Sequence, residues 1–130
     1  MMRRLLRDQR GGSVVEFALT LPLFLTLLLG VIESGLLLWT QLGIQHGAEM
    51  AARCASVNPA LCGTSDGVAA YAAAQSYGLN VPASAFTFSN AGCGYQVAAN
   101  YSYGLITAPL VAAAFGTSAI DLRARSCFPK

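Results

Sequence analysis

The chemically informative residues nearest the N-terminus are a glycine pair and a carboxylate. Gly11 and Gly12 end a basic leader, and Glu16 stands at the fifth position after Gly11, next to Phe17. A cut after Gly11 would leave on Gly12 an α-amino group that is positively charged at neutral pH. A carboxylate inside a membrane costs free energy and needs a cationic partner. The Gly12 amine of an adjacent copy could neutralise Glu16. The plainer interpretation places Glu16 at the headgroup level and makes the glycines a flexible joint.

Four cysteines supply the second chemistry: Cys54, Cys62, Cys93 and Cys127. They form no CxxC pair, and the single histidine is distant in sequence, so we predict disulfides and no metal site. Of the three possible connectivities we favour Cys54–Cys62, which would join a helix end to the following loop, and Cys93–Cys127, which would join two strands.

The second pairing raises a difficulty of register. Direct opposition of Cys93 and Cys127 in an unbroken antiparallel ladder would place Val97 opposite Arg123, an apolar side chain against a charged one. A bulge, or cysteines just outside the ladder, would resolve this conflict.

Catalysis finds little support in the sequence. A serine–histidine–acid set would depend on His46, the only histidine, which the pattern places on a helix flank as a solvated residue. The Gly92-Cys93-Gly94 segment indicates a turn and not a phosphate loop. We therefore expect no enzymatic activity and no cofactor.

Composition excludes several classes of protein. Of 130 residues, 55% are hydrophobic and only 11% charged, and the mean hydropathy is +0.52. An ordinary soluble domain has about a quarter of its residues charged, and disordered chains have low hydrophobicity. The net charge of +2 is small, and four of the eight basic residues lie in the leader. Nucleic acid is therefore not an expected partner.

The apolar residues are concentrated near the N-terminus. Residues 17–32 contain no charge, and the run resumes after Glu33. About 18 or more such residues predict a membrane span. The basic leader at 1–11 places the N-terminus in the cytoplasm and the rest of the chain outside, where disulfides persist. A cleaved secretory signal is the rival interpretation, but the apolar core is too long for one.

One long helix is predicted from about Val14 to Val57, because Asn58-Pro59 is a strong stop. We assign 12–39 to a transmembrane helix and 40–57 to its continuation outside the membrane. Pro22 lacks the N–H that would bond to the Ala18 carbonyl, so we expect a kink there.

Glu33 is a second acid, at the end of the apolar run. Gly30, Gly35, Gly43 and Gly47 lie around it, and the last two have the small-xxx-small spacing that permits close helix–helix approach. These residues are candidates for helix packing. Alternatively, Glu33 marks the outer boundary of the span and the glycines only loosen the helix.

Residues 58–130 predict a small disulfide-clipped domain. A helix starting at Ser65-Asp66 should run over 68–77 and stop at Gly78. Alternation then predicts strands; the remaining elements are a strand at 86–88, a turn at 90–92, a strand at 95–103, an apolar segment at 105–115 and a strand at 120–125. The apolar segment is too short to span, so we expect it to pack on the domain or lie at the membrane surface. The fold class is α+β with a short antiparallel sheet.

The segment from Gly11 to Phe17 is similar to the processing site of type IV prepilins of the Flp type. The longer run to Pro22, the Gly30-Val-Ile-Glu33-Ser-Gly35 segment and the later Ala48-Glu-Met-Ala-Ala-Arg53 resemble TadE-like minor pseudopilins of the tight-adherence (Tad) pilus system. Phe17 stands where the major Flp pilin usually has tyrosine, and the folded outer region exceeds that pilin's single helix. Both features favour the TadE-like branch.

The resemblance implies a type IV pilin-like fold and a function in Tad pilus biogenesis. A prepilin peptidase would cut after Gly11, and the helix would assemble with other pilins and pseudopilins at an inner-membrane assembly platform. The protein would occupy the bacterial inner membrane, with its C-terminal domain in the periplasm, and enter the pilus on assembly. The alternatives are an uncleaved membrane-anchored scaffold of the secretion machinery and a periplasmic enzyme on a tether.

Overall fold

The computed structural model describes residues 12–130, apart from the side chains of Leu110, Val111 and Phe115. The predicted leader, including Gly11, lies outside the described residues. The chain divides into two compact units: the first ends at Ser34, and the second comprises Gly35–Lys130.

Helices and short strands follow one another as an α+β fold. In chain order the elements are α1 (Gly12–Val57), α2 (Pro59–Cys62), α3 (Ser65–Ala74), a 3-10 turn (Ala83–Ala85), β1 (Phe86–Ala91), β2 (Gly94–Gly104), α4 (Ala108–Phe115) and β3 (Ala119–Phe128). The strands form one antiparallel sheet in the order β1-β2-β3. The predicted fold class, with its long N-terminal apolar helix and small antiparallel sheet, is confirmed.

The part of α1 in the first unit satisfies its own polar groups. Its hydroxyls donate to backbone carbonyl oxygens four residues earlier: Thr20 to Glu16 at 3.0 Å, Thr26 to Pro22 at 2.8 Å and Ser34 to Gly30 at 2.8 Å. These intrahelical bonds satisfy the hydroxyls of Thr20, Thr26 and Ser34 without water, which suits an apolar environment. The helix continues through Pro22, and the kink expected there stays a prediction.

Helix α1 ends where the Asn58-Pro59 pair predicts. The Asn58 side chain accepts a hydrogen bond from the Leu61 N–H at 3.3 Å and thereby caps α2, whose first residue is Pro59. Proline at this position loses nothing, because the first N–H of a helix has no intrahelical acceptor.

Helix α3 ends earlier than predicted. Its cap is Thr64, whose side chain accepts from the Gly67 N–H at 3.1 Å, and it ends at Ala74 and not at Tyr77. Tyr77 and Gly78 both have positive φ, of 53° and 71°. The sequence identifies Gly78 as a left-handed residue but gives no sign that Tyr77 would adopt the same conformation, which is uncommon outside glycine, asparagine and aspartate.

The turn between β1 and β2 also differs from the prediction. Asn90 and Ala91 belong to β1 and pair with Tyr95 and Gly94, so the turn lies at Gly92-Cys93 and not at 90–92. Gly94 has a φ of 126°, and a side chain there would collide with the Phe128 carbonyl. Glycine at this position lets the end of β3 close over the turn.

Both favoured disulfides are present, Cys54–Cys62 and Cys93–Cys127, with Cα–Cα distances of 5.8 and 6.3 Å. Cys93 lies in the turn and Cys127 pairs with Gln96, so the two cysteines are not opposed in the ladder. The register conflict therefore disappears.

The observed register keeps the charged side chains of β3 away from the apolar side chains of β2 on the buried face. Val97 lies opposite Ser126, and Ala99 lies opposite Ala124, while Arg123 faces Asn100. Apolar side chains therefore share the buried face of the sheet and charged ones share the other.

The core of the second unit is built from small side chains. On α1 the buried positions recur at helical spacing, with Ile44, Ala48 and Ala51 fully buried. They pack with residues of α3 and the sheet, among them Val68, Ala72, Phe86 and Val97. Alanine-rich faces let the elements approach closely.

The core predicts the cost of a truncation. Val68 is fully buried and Val57 is 68% exposed. At roughly 0.8 kcal/mol per buried methylene plus a cavity term, Val68→Ala should lower the free energy of unfolding by about 2 kcal/mol. Val57→Ala should change it by less than about 0.5 kcal/mol. Chemical denaturation of the two detergent-solubilised variants checks this, and equal effects would contradict the placement of α3.

Candidate functional site

The first half of α1 presents an apolar surface on all sides. Every residue from 12 to 32 is exposed, including Leu19 at 74%, Leu23 at 73% and Phe24 at 59%. We call the exposed hydrophobic side chains between Val14 and Ile32 the apolar helix surface. Among the described residues, α1 is the helix long and apolar enough to cross a membrane, by length and composition.

Glu16 is the one carboxylate within this surface. It is exposed, and the sequence holds no lysine or arginine between Arg10 and Arg53. No hydrogen bond or ion pair to its carboxylate occurs within residues 12–130; only its backbone carbonyl accepts, from Thr20. A cation for Glu16 must therefore come from the leader, from a terminal amine or from another molecule.

Glu33 has a different environment from Glu16. Its side chain is only 6% exposed, whereas its neighbours Ile32 and Ser34 are exposed. Burial of a carboxylate is costly unless its oxygens are hydrogen-bonded. Glu33 therefore contributes no exposed charge to the apolar helix surface.

The candidate packing glycines fall into two groups. A Cβ on Gly30 or Gly35 would meet nothing within 4 Å, so these two stay open to approach by another helix. A Cβ on Gly47 would lie 2.5 Å from both the Ala72 carbonyl oxygen and the Ser76 hydroxyl, and one on Gly43 would collide with Leu79. Within the second unit, Gly47 therefore lies close to the last turn of α3 and Gly43 lies close to the segment that follows α3.

Three aromatic rings gather at this end of α3. Tyr77 stacks on His46 with centroids 4.5 Å apart, and Trp39 lies 5.8 Å from Tyr77. The rings line a surface groove of about 500 Å³ together with Leu42, Gln45 and Glu49. The sequence did not reveal this cluster, because it depends on the left-handed turn at Tyr77.

His46 is half-buried in the stack and not the fully solvated residue that the sequence suggests. Its groove neighbour Glu49 accepts a hydrogen bond from the Gln45 side chain at 2.7 Å. No serine or cysteine lines this groove. Within residues 12–130, no group of three histidine, cysteine, aspartate or glutamate side chains lies close enough to hold a metal ion.

The surroundings of the glycines predict that a glycine-to-alanine substitution has different effects at two positions of α1. Gly47→Ala should lower the free energy of unfolding of the second unit by about 1–3 kcal/mol, because its new methyl group has no room. Gly30→Ala should cause no such loss, because the methyl enters open space. Denaturation followed by Trp39 fluorescence measures both. If Gly47→Ala is as stable as Gly30→Ala, α1 and α3 do not meet as described.

Comparison with known proteins identifies the N-terminal segment. Residues 11–53 match the family model of TadE-like proteins. The search of curated proteins gave no match, and neither did the search of solved structures. The matched segment contains Glu16, the whole apolar helix surface and both candidate glycine pairs. The resemblance found in the sequence is thereby confirmed: residues 11–53 are similar to TadE-like proteins.

Proposed function

We propose that the protein is a minor pseudopilin of the Tad pilus system, anchored in the bacterial inner membrane and assembled through α1. The observation that carries the proposal is the apolar helix surface with its single exposed acid, inside the segment that matches TadE-like proteins. The partners of such a subunit are other pilins and pseudopilins, the prepilin peptidase and the inner-membrane assembly platform.

Membrane anchorage is the first step of the proposed sequence of events. Spanning the hydrocarbon core takes about 20 helical residues, and residues 17–39, in which Glu33 is the one charged residue, supply them. The basic leader keeps the N-terminus in the cytoplasm. The two disulfides of the second unit then form in the periplasm, where such bonds persist.

Processing is the second step. Hydrolysis of the peptide bond after Gly11 by a prepilin peptidase would release the leader with its four arginines and leave a protonated amine on Gly12. The exposed Gly12 begins α1, one helical turn before Glu16. In an assembly of packed helices, the amine of one copy would neutralise Glu16 of its neighbour while the apolar helix surfaces pack together.

The protein would be a substrate and a subunit and not an enzyme. Its one imidazole is stacked on Tyr77 in a groove that no serine or cysteine lines. The folded second unit instead suits a periplasmic head that contacts other subunits. The alternative, an uncleaved scaffold of the secretion machinery, would use the same anchor and head without the new amine.

The mass of the N-terminus separates these two functions. In protein purified from assembly-competent cells, we expect a chain that begins at Gly12. A Gly11→Leu variant should keep its leader, because the large side chain blocks access of the scissile bond to the peptidase. Retention of residues 1–11 in the unaltered, assembled protein would support the scaffold and refute the pseudopilin.

Charge at Glu16 gives a second test. Glu16→Gln keeps the size of the side chain and removes its charge, so we expect normal membrane insertion and a strong loss of assembly. Asp66→Asn makes the same change at an exposed position in the first turn of α3 and should leave assembly intact. Immunoblots of membrane and pilus fractions report both steps, and full assembly of Glu16→Gln would remove the basis for neutralisation.

A further inference from the structure

The chain between β2 and β3 is free of charge and partly exposed. No charged residue occurs from Gly104 to Ile120. Ile106 is 67% exposed, the residues at 112–114 are exposed, and α4 occupies the middle of the segment. We call residues 105–118 the apolar connection. An uncharged segment that exposes isoleucine, proline and alanine side chains is a candidate for contact with a partner or a membrane.

Two hydrogen bonds fix how β3 lies beside α1 within the second unit. The Gln41 side chain donates to the Arg123 carbonyl oxygen at 2.8 Å, and the Ser56 hydroxyl donates to the Pro129 carbonyl oxygen at 2.9 Å. The helix residues are 15 positions apart, or about 22 Å along the axis, and the strand residues are six apart, or about 20 Å. The two lengths agree, so β3 runs alongside α1 in the same direction.

This alignment fixes the end of the unit at which the apolar connection lies. From Arg123 back to Ala119 is four strand residues, or about 13 Å. From Gln41 back to Gly35, the first residue of the unit, is six helix residues, or about 9 Å. The apolar connection, which directly precedes β3, therefore lies at the Gly35 end of the unit. Gly35 is also the residue at which the chain passes from the first unit into the second.

Other side chains near this end have the character of a membrane interface. Trp39 and Tyr77 are 54% and 52% exposed, and tryptophan and tyrosine are enriched where bilayers meet water. The first charged residues after the apolar connection, Asp121 and Arg123, are exposed, and Arg123 lies at the level of Gln41. Apart from the buried Glu33, which precedes Gly35 by two residues, the chain segments that meet at this end carry no charge until Asp121.

We propose that the apolar connection inserts into the headgroup–acyl boundary of the bilayer that α1 spans, so that lipid covers it. The proposal depends on the membrane anchorage described under the proposed function, and it adds a second lipid contact. Short apolar segments of this kind lie in the plane of the interface and do not cross it. The second unit would then be attached to the bilayer both by α1 and by the apolar connection. Two attachments would restrict its tilt relative to the membrane plane.

Tryptophan quenching in lipid nanodiscs tests this placement. The full chain has one tryptophan, so Trp39→Phe gives a background into which single tryptophans are introduced. Ala113→Trp reports on α4, and Ala60→Trp places the same change at an exposed position in α2. Phe24→Trp reports on the span. Nanodiscs that carry one protein copy and lipids brominated high on the acyl chain serve as the probe.

We expect bromolipid to quench most of the Ala113→Trp fluorescence and to shift its emission to shorter wavelength, with no effect on Ala60→Trp. A quenched Phe24→Trp beside an unquenched Ala113→Trp would overturn this inference and leave the anchor intact. If neither is quenched, the anchorage itself fails. A blue shift of the Ala113→Trp emission that occurs only when several copies share a bilayer would show that a second copy covers the apolar connection. That result would overturn the lipid contact.

Discussion

The rest of the structure depends on one constraint. The apolar side chains in the first half of α1 are exposed, and no other described residue covers them. Thirteen large apolar side chains between Val14 and Ile32 are exposed. Full removal of one such side chain from water gains about 1.5–3 kcal/mol, so burying all of them would gain a free energy on the order of tens of kcal/mol. One carboxylate costs about 2.5–3.5 kcal/mol at the bilayer centre and less near its edge. The apolar contribution is therefore the larger one, so a membrane-spanning α1 would tolerate Glu16.

The same helix meets a different requirement in the second unit. From Ile44 to Ala55 it buries one face against α3 and the sheet, and Gly47 lies so close to the end of α3 that a methyl group would not fit. A core made largely of alanine buries little apolar area per residue, so covalent support adds to its stability. The two disulfides supply it: one joins the end of α1 to α2, and the other joins the β1–β2 turn to the end of β3.

Much of this architecture could be predicted because its signals are local. The uncharged run, the Asn58-Pro59 stop and the alternation in β2 and β3 each reside in a few consecutive residues, and the cysteine pairs followed from the elements they connect. Tertiary contacts decided what the sequence did not show. Tyr77 adopts a left-handed backbone and stacks on His46, which shortens α3, and Gly43 and Gly47 found their partner within the chain. The sheet register likewise has no local signal. Cys127 pairs with Gln96, three residues beyond Cys93, and Cys93 lies in the turn.

Extraction at alkaline pH tests the central claim most directly. Membranes from cells that express the full chain without the pilus assembly machinery are washed with alkaline carbonate, which strips peripheral proteins and leaves spanning helices in lipid. If lipid covers the apolar helix surface, the protein stays in the membrane pellet together with an established single-pass marker. Its release into the supernatant with peripheral proteins would show that something other than the bilayer covers α1.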